Sequence, residues 1–255
     1  MILRYDAVLN GRSLGHIAPS IIVRDIDEKP AKMDTKTVQR AIRPGMRVTQ
    51  QRRQSLEIVL HCNVRAYGGA DRAQILDEIA EWVQDGGWLE ISTRPGKRLR
   101  VTPTGLPSVG SSLNWTGNID IILTAYERPY WESKYPVAST IEAEGELIPL
   151  GTLPEAYVSC SITNEGTENM TTLTVRSGDT FISLRDLDVA PGEVVEIGYT
   201  DDDVMRITAA GVSALGNRTA ESSDDLVAIC RKANAIKVEA DQSVRATFRA
   251  WGRYR

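Results

Sequence analysis

Two histidines, one row of three aspartates and one long basic run are where this 255-residue sequence could carry chemistry. Imidazole is the side chain that most readily trades a proton near neutral pH. His61 falls inside a regular alternation of apolar and polar residues and His16 stands beside a turn, so both read as structural. Asp201, Asp202 and Asp203 form the densest acidic group. Paired carboxylates can hydrolyse glycosides, but adjacent residues of an extended chain point to opposite sides. A solvated turn is therefore the expectation, with weak calcium binding as the alternative. No G-x-S-x-G elbow presents a serine nucleophile, and neither G-x-G-x-x-G nor G-x-x-x-x-G-K-[ST] is present to cradle a nucleotide phosphate. Cys62, Cys160 and Cys230 are odd in number, far apart and without CxxC spacing, which argues for reduced, packed thiols rather than disulfides or zinc. No catalytic residue, metal or cofactor is expected.

Lys36, Arg40, Arg43, Arg47, Arg52 and Arg53 follow one another with no acid between them. The net charge of -4 hides an asymmetry: 18 Lys+Arg stand against 15 Asp+Glu up to Glu132, and 12 against 19 after it. The basic run has no aromatic residues among its cations for base stacking and the whole chain is acidic, so specific nucleic-acid recognition is not expected. No apolar stretch approaches the roughly 20 residues that span a bilayer. The first residues do not have the pattern of a cleaved leader, and membrane insertion is not expected.

The elements that must position these residues are mostly strands. In Ser55 to Val64, Leu56, Ile58, Leu60, Cys62 and Val64 share one face, the pattern of a half-buried strand. Trp88 to Thr93 and Arg98 to Pro103 flank RPGK and read as a hairpin, and Ile119 to Tyr126 as another strand. One helix, 71–85, interrupts them: Ile75, Leu76, Ile79, Trp82 and Val83 recur at three- and four-residue steps, Asp71 with Gln74 resembles a capping box, and Gly86 and Gly87 end it. Residues 1–133 thus read as a strand-rich α+β domain.

AYERPYWES, Ala125 to Ser133, closes this domain. Tyr126 ends a strand, Pro129 forbids its continuation, and Tyr130 and Trp131 can cover the base of the domain, so Tyr126, Pro129, Tyr130 and Trp131 read as an interdomain seam. The Pro- and Gly-bearing YPVASTIEAEGELIPLGTLPE then reads as a connector. Beyond it, short strands near 157–163, 172–176, 180–184, 194–199 and 204–209 are separated by turn chemistry, which predicts a β-sandwich over 134–243. From Val244 the basic, aromatic VRATFRAWGRYR alternates once more; sharing the composition of the first domain, the strand 244–255 is expected to return to it and complete it.

Together these features resemble the distal tail protein of long, non-contractile-tailed bacteriophages. The most specific mark is ERPYWE, Glu127 to Glu132, with GEVVEI, Gly192 to Ile197, a weaker one; the ending departs from the family's Phe-x-Pro-Arg, with Ala250 and Trp251 following Phe248 and Arg249. The resemblance covers nearly the whole chain. It implies a mainly β protein: a split β-barrel with one helix, tail-tube-like, followed by a galectin-like β-sandwich. It further implies a structural protein without catalysis, a homo-hexameric ring at the distal end of the tail tube. Its neighbours would be the tail tube protein and tail-tip hub or receptor-binding proteins. It would reside at the tail tip of a virion, phage or prophage, after synthesis in the host bacterial cytoplasm. The basic run, within a stretch Asp25 to Arg53 poor in large apolar residues, then suits an extended arm or hairpin lying on a neighbour. Lys36, Arg40, Arg43, Arg47, Arg52 and Arg53 are the expected subunit or tube interface. The rival expectation is a carbohydrate-binding or receptor-binding module in the second domain. Against it, no tryptophan occurs between Ser133 and Ala250 to stack on a sugar.

Overall fold

The computed structural model describes residues 5–18, 20–31, 33–39, 46–66, 68–105, 116–200 and 203–255. The chain divides after Trp131 into two compact units. In the first, the elements run β1 (Ala7–Leu9), β2 (Arg12–Ser13), α1 (Leu14–Ile17), β3 (Ile21–Lys29), β4 (Met33–Gln39), β5 (Met46–Arg53), β6 (Leu56–Arg65), α2 (Gly69–Val83), β7 (Gly87–Ile91), β8 (Lys97–Gly105) and β9 (Thr116–Ala125). The strand order is β2-β1-β7-β8-β9-β6-β3, with antiparallel neighbours, and β4 and β5 form a separate two-stranded sheet.

The pairing of β6 with β9 follows from the sequence pattern. Register sets Leu56 opposite Ala125, Ile58 opposite Leu123, Leu60 opposite Ile121 and Cys62 opposite Ile119, so both apolar faces meet and all eight side chains are buried. The other face holds Val59 opposite Ile122 and two polar pairs: His61 Nδ1 lies 2.7 Å from Asp120 Oδ1, and Asn63 donates to Asn118 at 3.2 Å. A slip of one residue would exchange the two faces, which makes this register costly to lose.

Helix α2 buries Ile75, Ile79, Trp82 and Val83, as its periodicity predicts. Its start differs from the expected capping box. The helix opens two residues earlier, on an N-cap Gly68 with no side-chain cap, and Gln74 donates along the helix to Glu78 at 3.0 Å. Two anchors tie its far end to β2: Trp82 Nε1 donates to the Arg12 carbonyl at 2.8 Å, and Arg12 pairs with Glu81 at 2.9 Å. At the exit Gly86 has φ +61 and donates to the Val83 carbonyl. Asn10 then clips the turn, its Nδ2 donating to the Gly86 carbonyl and its Oδ1 accepting from Trp88 N–H. A Cβ at Gly87 would collide with that amide, so this position requires glycine.

After β10 (Trp131–Ser133), the second unit contains β11 (Val137–Ile141), β12 (Glu144–Leu147), β13 (Glu155–Asn164), β14 (Leu173–Ser177), β15 (Thr180–Leu184), β16 (Val194–Tyr199), β17 (Met205–Ala209), β18 (Val212–Ser213), β19 (Val227–Ile229), β20 (Asn234–Ala240), β21 (Val244–Ala250) and β22 (Arg253–Tyr254). One sheet runs β11-β21-β13-β16-β17-β18, with β19 also on β13; the other runs β12-β20-β14-β15. Val158, Cys160, Ile162, Val195, Ile197 and Phe248 from the first sheet share one core with Leu147, Leu173, Val175, Ile182 and Val238 from the second. Two sheets over one core make a β-sandwich.

Two expectations are corrected here. The presumed connector contains β11 and β12, strands too short and too rich in exposed residues to show a strong alternation. Of the segment 244–255 expected to return to the first domain, Val244–Ala250 lie inside the sandwich: β21 pairs with β11 on one side and β13 on the other, with Phe248 opposite both Ser139 and Cys160, whereas β22 pairs with β10, outside both sandwich sheets. Ala246, Phe248 and Ala250 of β21 are fully buried in the second unit's core, a burial that composition alone cannot allocate.

The three cysteines are free and buried, and burial pushes the Cys62 thiol up to about 12 and those of Cys160 and Cys230 upward as well. Since the thiolate is the reactive form, iodoacetamide at a pH of about 8.5 is expected to leave all three unmodified in the native protein and to alkylate them once denaturant is added. Rapid native labelling, read by intact mass, would contradict the packing described.

Candidate assembly interface

Lys36, Arg47, Arg52 and Arg53 of the basic run lie on a ribbon that grows out of the first unit's sheet. β3 and β6 pair until Lys29 meets Glu57, and after short breaks the same two chain segments pair again as β4 and β5, from Met33 opposite Arg53 to Gln39 opposite Met46. At about 3.4 Å per residue the seven residues of β4 extend roughly 24 Å. Every side chain of β4 is exposed. Among the described residues neither strand of the ribbon pairs with a third. The expected arm is thus a hairpin, and it begins later than Asp25, because Asp25 to Lys29 belong to β3 and the main sheet.

Of the expected interface residues, Lys36 is exposed on β4, and Arg47, Arg52 and Arg53 fall on β5. Register sets Arg47 opposite Val38 and Arg52 opposite Asp34. Arg40 and Arg43 lie outside the described residues, as does the tip that joins the strands. The ribbon also carries apolar residues that the reading by charge passed over: Met33, Val38, Met46 (68% exposed) and Val48 (54% exposed). A two-stranded ribbon is marginal by itself. One that holds four large apolar side chains in water has the composition of a surface that becomes covered. Their signal in the sequence was present but weak, because single apolar residues among cations and threonines match neither a core strand nor a helix.

AYERPYWES is divided in its burial. Tyr126 is exposed, Tyr130 is nearly buried, and Trp131 is completely so, with the Arg94 guanidinium 5.3 Å from its ring centroid and Arg94 in turn paired with Glu28. Arg128, which the sequence reading did not single out, is buried too; with Arg98 it faces the Trp88 ring, at 5.8 and 4.0 Å from the centroid. Stacked guanidinium and indole groups hold this corner through cation–π contacts as well as area.

The residues considered for chemistry are not brought together. His61 is paired with Asp120 on β6 and β9. His16, in α1, lines a cavity of about 360 Å³ with Tyr5, Asp6 and Ser13, but the Ser13 hydroxyl donates directly to Asp6 Oδ1 at 3.0 Å rather than to the imidazole. Asp203 turns its carboxylate to Arg253 at 3.4 Å, and Asp201 and Asp202 lie outside the described residues. Among the described residues no group of three His, Cys, Asp or Glu side chains could hold a metal, and no helix is long and apolar enough to cross a membrane.

No family model and no curated protein matches this chain in sequence. Solved structures do. The SPP1 Dit protein, described as a paradigm of the hub adsorption apparatus in phages infecting Gram-positive bacteria, superposes with a TM-score of 0.72, over 97% of this chain and 98% of that one, at 11% identity. The chain has the Dit fold. Two structures of the phage P2 baseplate in its activated conformation agree, also at 11% identity. The calcium form covers 99% of this chain and 98% of the matched one at a TM-score of 0.59, and the strontium form 97% of each at 0.56. The Dit-like fold therefore spans both units, and the neighbours are hub and baseplate proteins of phage tails.

Proposed function

We propose that this protein is a structural subunit of a phage tail tip, of which six copies close into a ring at the distal end of the tail tube and join the tube to the adhesion apparatus. The observation that supports this most is the Dit fold over nearly the full length of both chains. The β4–β5 ribbon adds a physical reason for assembly: exposed apolar side chains on a basic arm that pairs with no third strand among the described residues. A closed ring joins two different patches on each subunit, and a basic arm meeting an acidic patch of its neighbour sets the register. The same reading takes Tyr126, Pro129, Tyr130 and Trp131 as the seam where the chain passes from the ring-forming unit to the sandwich. No bond is made or broken in this role; the protein works by geometry and binding, in the virion.

Mass measurement and negative-stain images of the purified protein test the reading. Rings with a central channel are expected, and a protein that stays a compact monomer at high concentration would speak against it. Replacing Arg43, Arg47 and Arg52 by Glu is expected to reduce ring formation and tail joining severely, since three reversals turn attraction at each junction into repulsion. Unaltered rings and normal joining in that variant would remove these residues from the interface.

A further inference from the structure

The sandwich carries a feature of its own. On its larger sheet, the face turned away from the core holds a cavity of about 280 Å³ whose lining includes Ser159, Glu196, Gly198, Tyr199, Arg206 and Arg249. Strand register explains its shape. Arg249 stands opposite Ser159, Gly198 stands opposite Arg206, and the β13–β16 alignment that sets Cys160 against Ile197 brings Ser159 beside Gly198. One row across four strands therefore reads Arg249, Ser159, Gly198, Arg206. Three strand spacings separate the two arginine Cα atoms by roughly 14 Å. The middle of the row is low, because a Cβ on Gly198 would meet nothing nearer than Ser159 Oγ at 3.7 Å. The adjoining row, Thr247, Ser161, Glu196, Thr208, supplies hydroxyls and one carboxylate. Tyr199 adds a stiff wall: its ring stacks on Tyr157 at 4.5 Å and its hydroxyl accepts from Leu226 N–H at 2.7 Å.

Several other cations of the unit are paired, Arg218 with Asp224, Lys237 with Glu144 and Glu239, Arg245 with Glu165 and Arg253 with Asp203. Arg206, Arg249 and Glu196 have no ion pair or hydrogen bond with other side chains among the described residues. An exposed arginine alone means little; two of them flanking a concave polar floor, in the acidic half of the chain, select for a negative group. Guanidinium takes carboxylate or phosphate bidentately. Glu196 narrows the choice further, since a carboxylate only accepts hydrogen bonds and repels a bare anion, whereas it welcomes hydroxyl donors.

We propose that this cavity binds an acidic sugar, its carboxylate or phosphate held by Arg249 or Arg206, its ring hydroxyls donating to Glu196 and exchanging hydrogen bonds with Ser159 and Ser161. The inference goes beyond the structural role and does not rest on it, because binding is read on the sandwich whether or not rings form.

Saturation-transfer NMR and calorimetric titration of the full chain with glucuronic acid, glucose 1-phosphate, glucose and inorganic phosphate provide the test. At least one acidic sugar is expected to bind saturably, about tenfold or more tighter than glucose, as the loss of one charge-assisted bidentate contact predicts. Which acid binds identifies the acidic group. Arg206→Gln and Arg249→Gln, both at exposed positions, should weaken that binding, while Glu196→Gln should weaken the sugar and strengthen inorganic phosphate. The proposal is overturned by no saturable binding of either acidic sugar, by equal binding of glucose or of inorganic phosphate, or by binding that all three variants leave unchanged.

Discussion

Phe248→Ala is expected to lower the stability of the second unit by about 3–5 kcal/mol while the first unit stays as protected as before. Phe248 is completely buried at the centre of β21, between β11 and β13, so its removal leaves a cavity where both flanking strands contribute side chains. Residue-resolved hydrogen exchange reads the outcome directly. Amides of β13 and β21 should lose protection and those of β6 and β9 should not. A loss concentrated in β6 and β9 would show that the terminal strand stabilises the first unit after all.

Trp131→Ala should cost a similar amount, about 3–5 kcal/mol, in the first unit. The indole is fully buried, and its loss removes both the area it covers and the surface on which the Arg94 guanidinium rests. Arg94 would remain paired with Glu28, so the charge is not orphaned and the penalty is mainly that of the cavity. The first unit's unfolding transition should fall by roughly 10 °C or more. Trp131→Phe, which refills part of the space, should recover a portion of it. Tyr126→Ala is the control: an exposed ring of the same stretch, expected to change stability by no more than about 0.5 kcal/mol. Equal losses at both positions would contradict the division of burial within AYERPYWES.

The parts of this fold that were legible in the sequence share one property: their pattern is local and strong. β6 shows five buried residues at strict alternate spacing, α2 a stripe at helical spacing, and the β7–β8 hairpin a proline–glycine turn whose Gly96 has φ +72. The parts that were misread lack such a pattern or have one that fits several places. β11 and β12 are short, and four of their nine residues are exposed. The helix start at Gly68 uses no side-chain cap, so the capping residues that marked it lie inside the helix. The proposed interface was half legible, since a run of cations is visible in any sequence. Met46 and Val48 gain meaning only when the ribbon is seen to stand without a third strand among the described residues. The groove was not legible at all, because Ser159, Gly198, Arg206 and Arg249 are up to 90 residues apart and each is unremarkable alone.

Sequence alone determined that the chain is mainly β with one long helix, that Leu56 to Val64 turns one face inward, that positive charge gathers between Lys36 and Arg53, and that the ERPYWE stretch ends a domain. These follow from side-chain periodicity and charge, which act between near neighbours. Tertiary structure decided which sheet receives Val244–Ala250, which residues of AYERPYWES are buried, and which four strands lay two arginines across one floor. An alternating strand can satisfy its apolar face on any sheet of the right width, so the choice is made by pairing across the chain. Here it is made by a core that takes Phe248 whole.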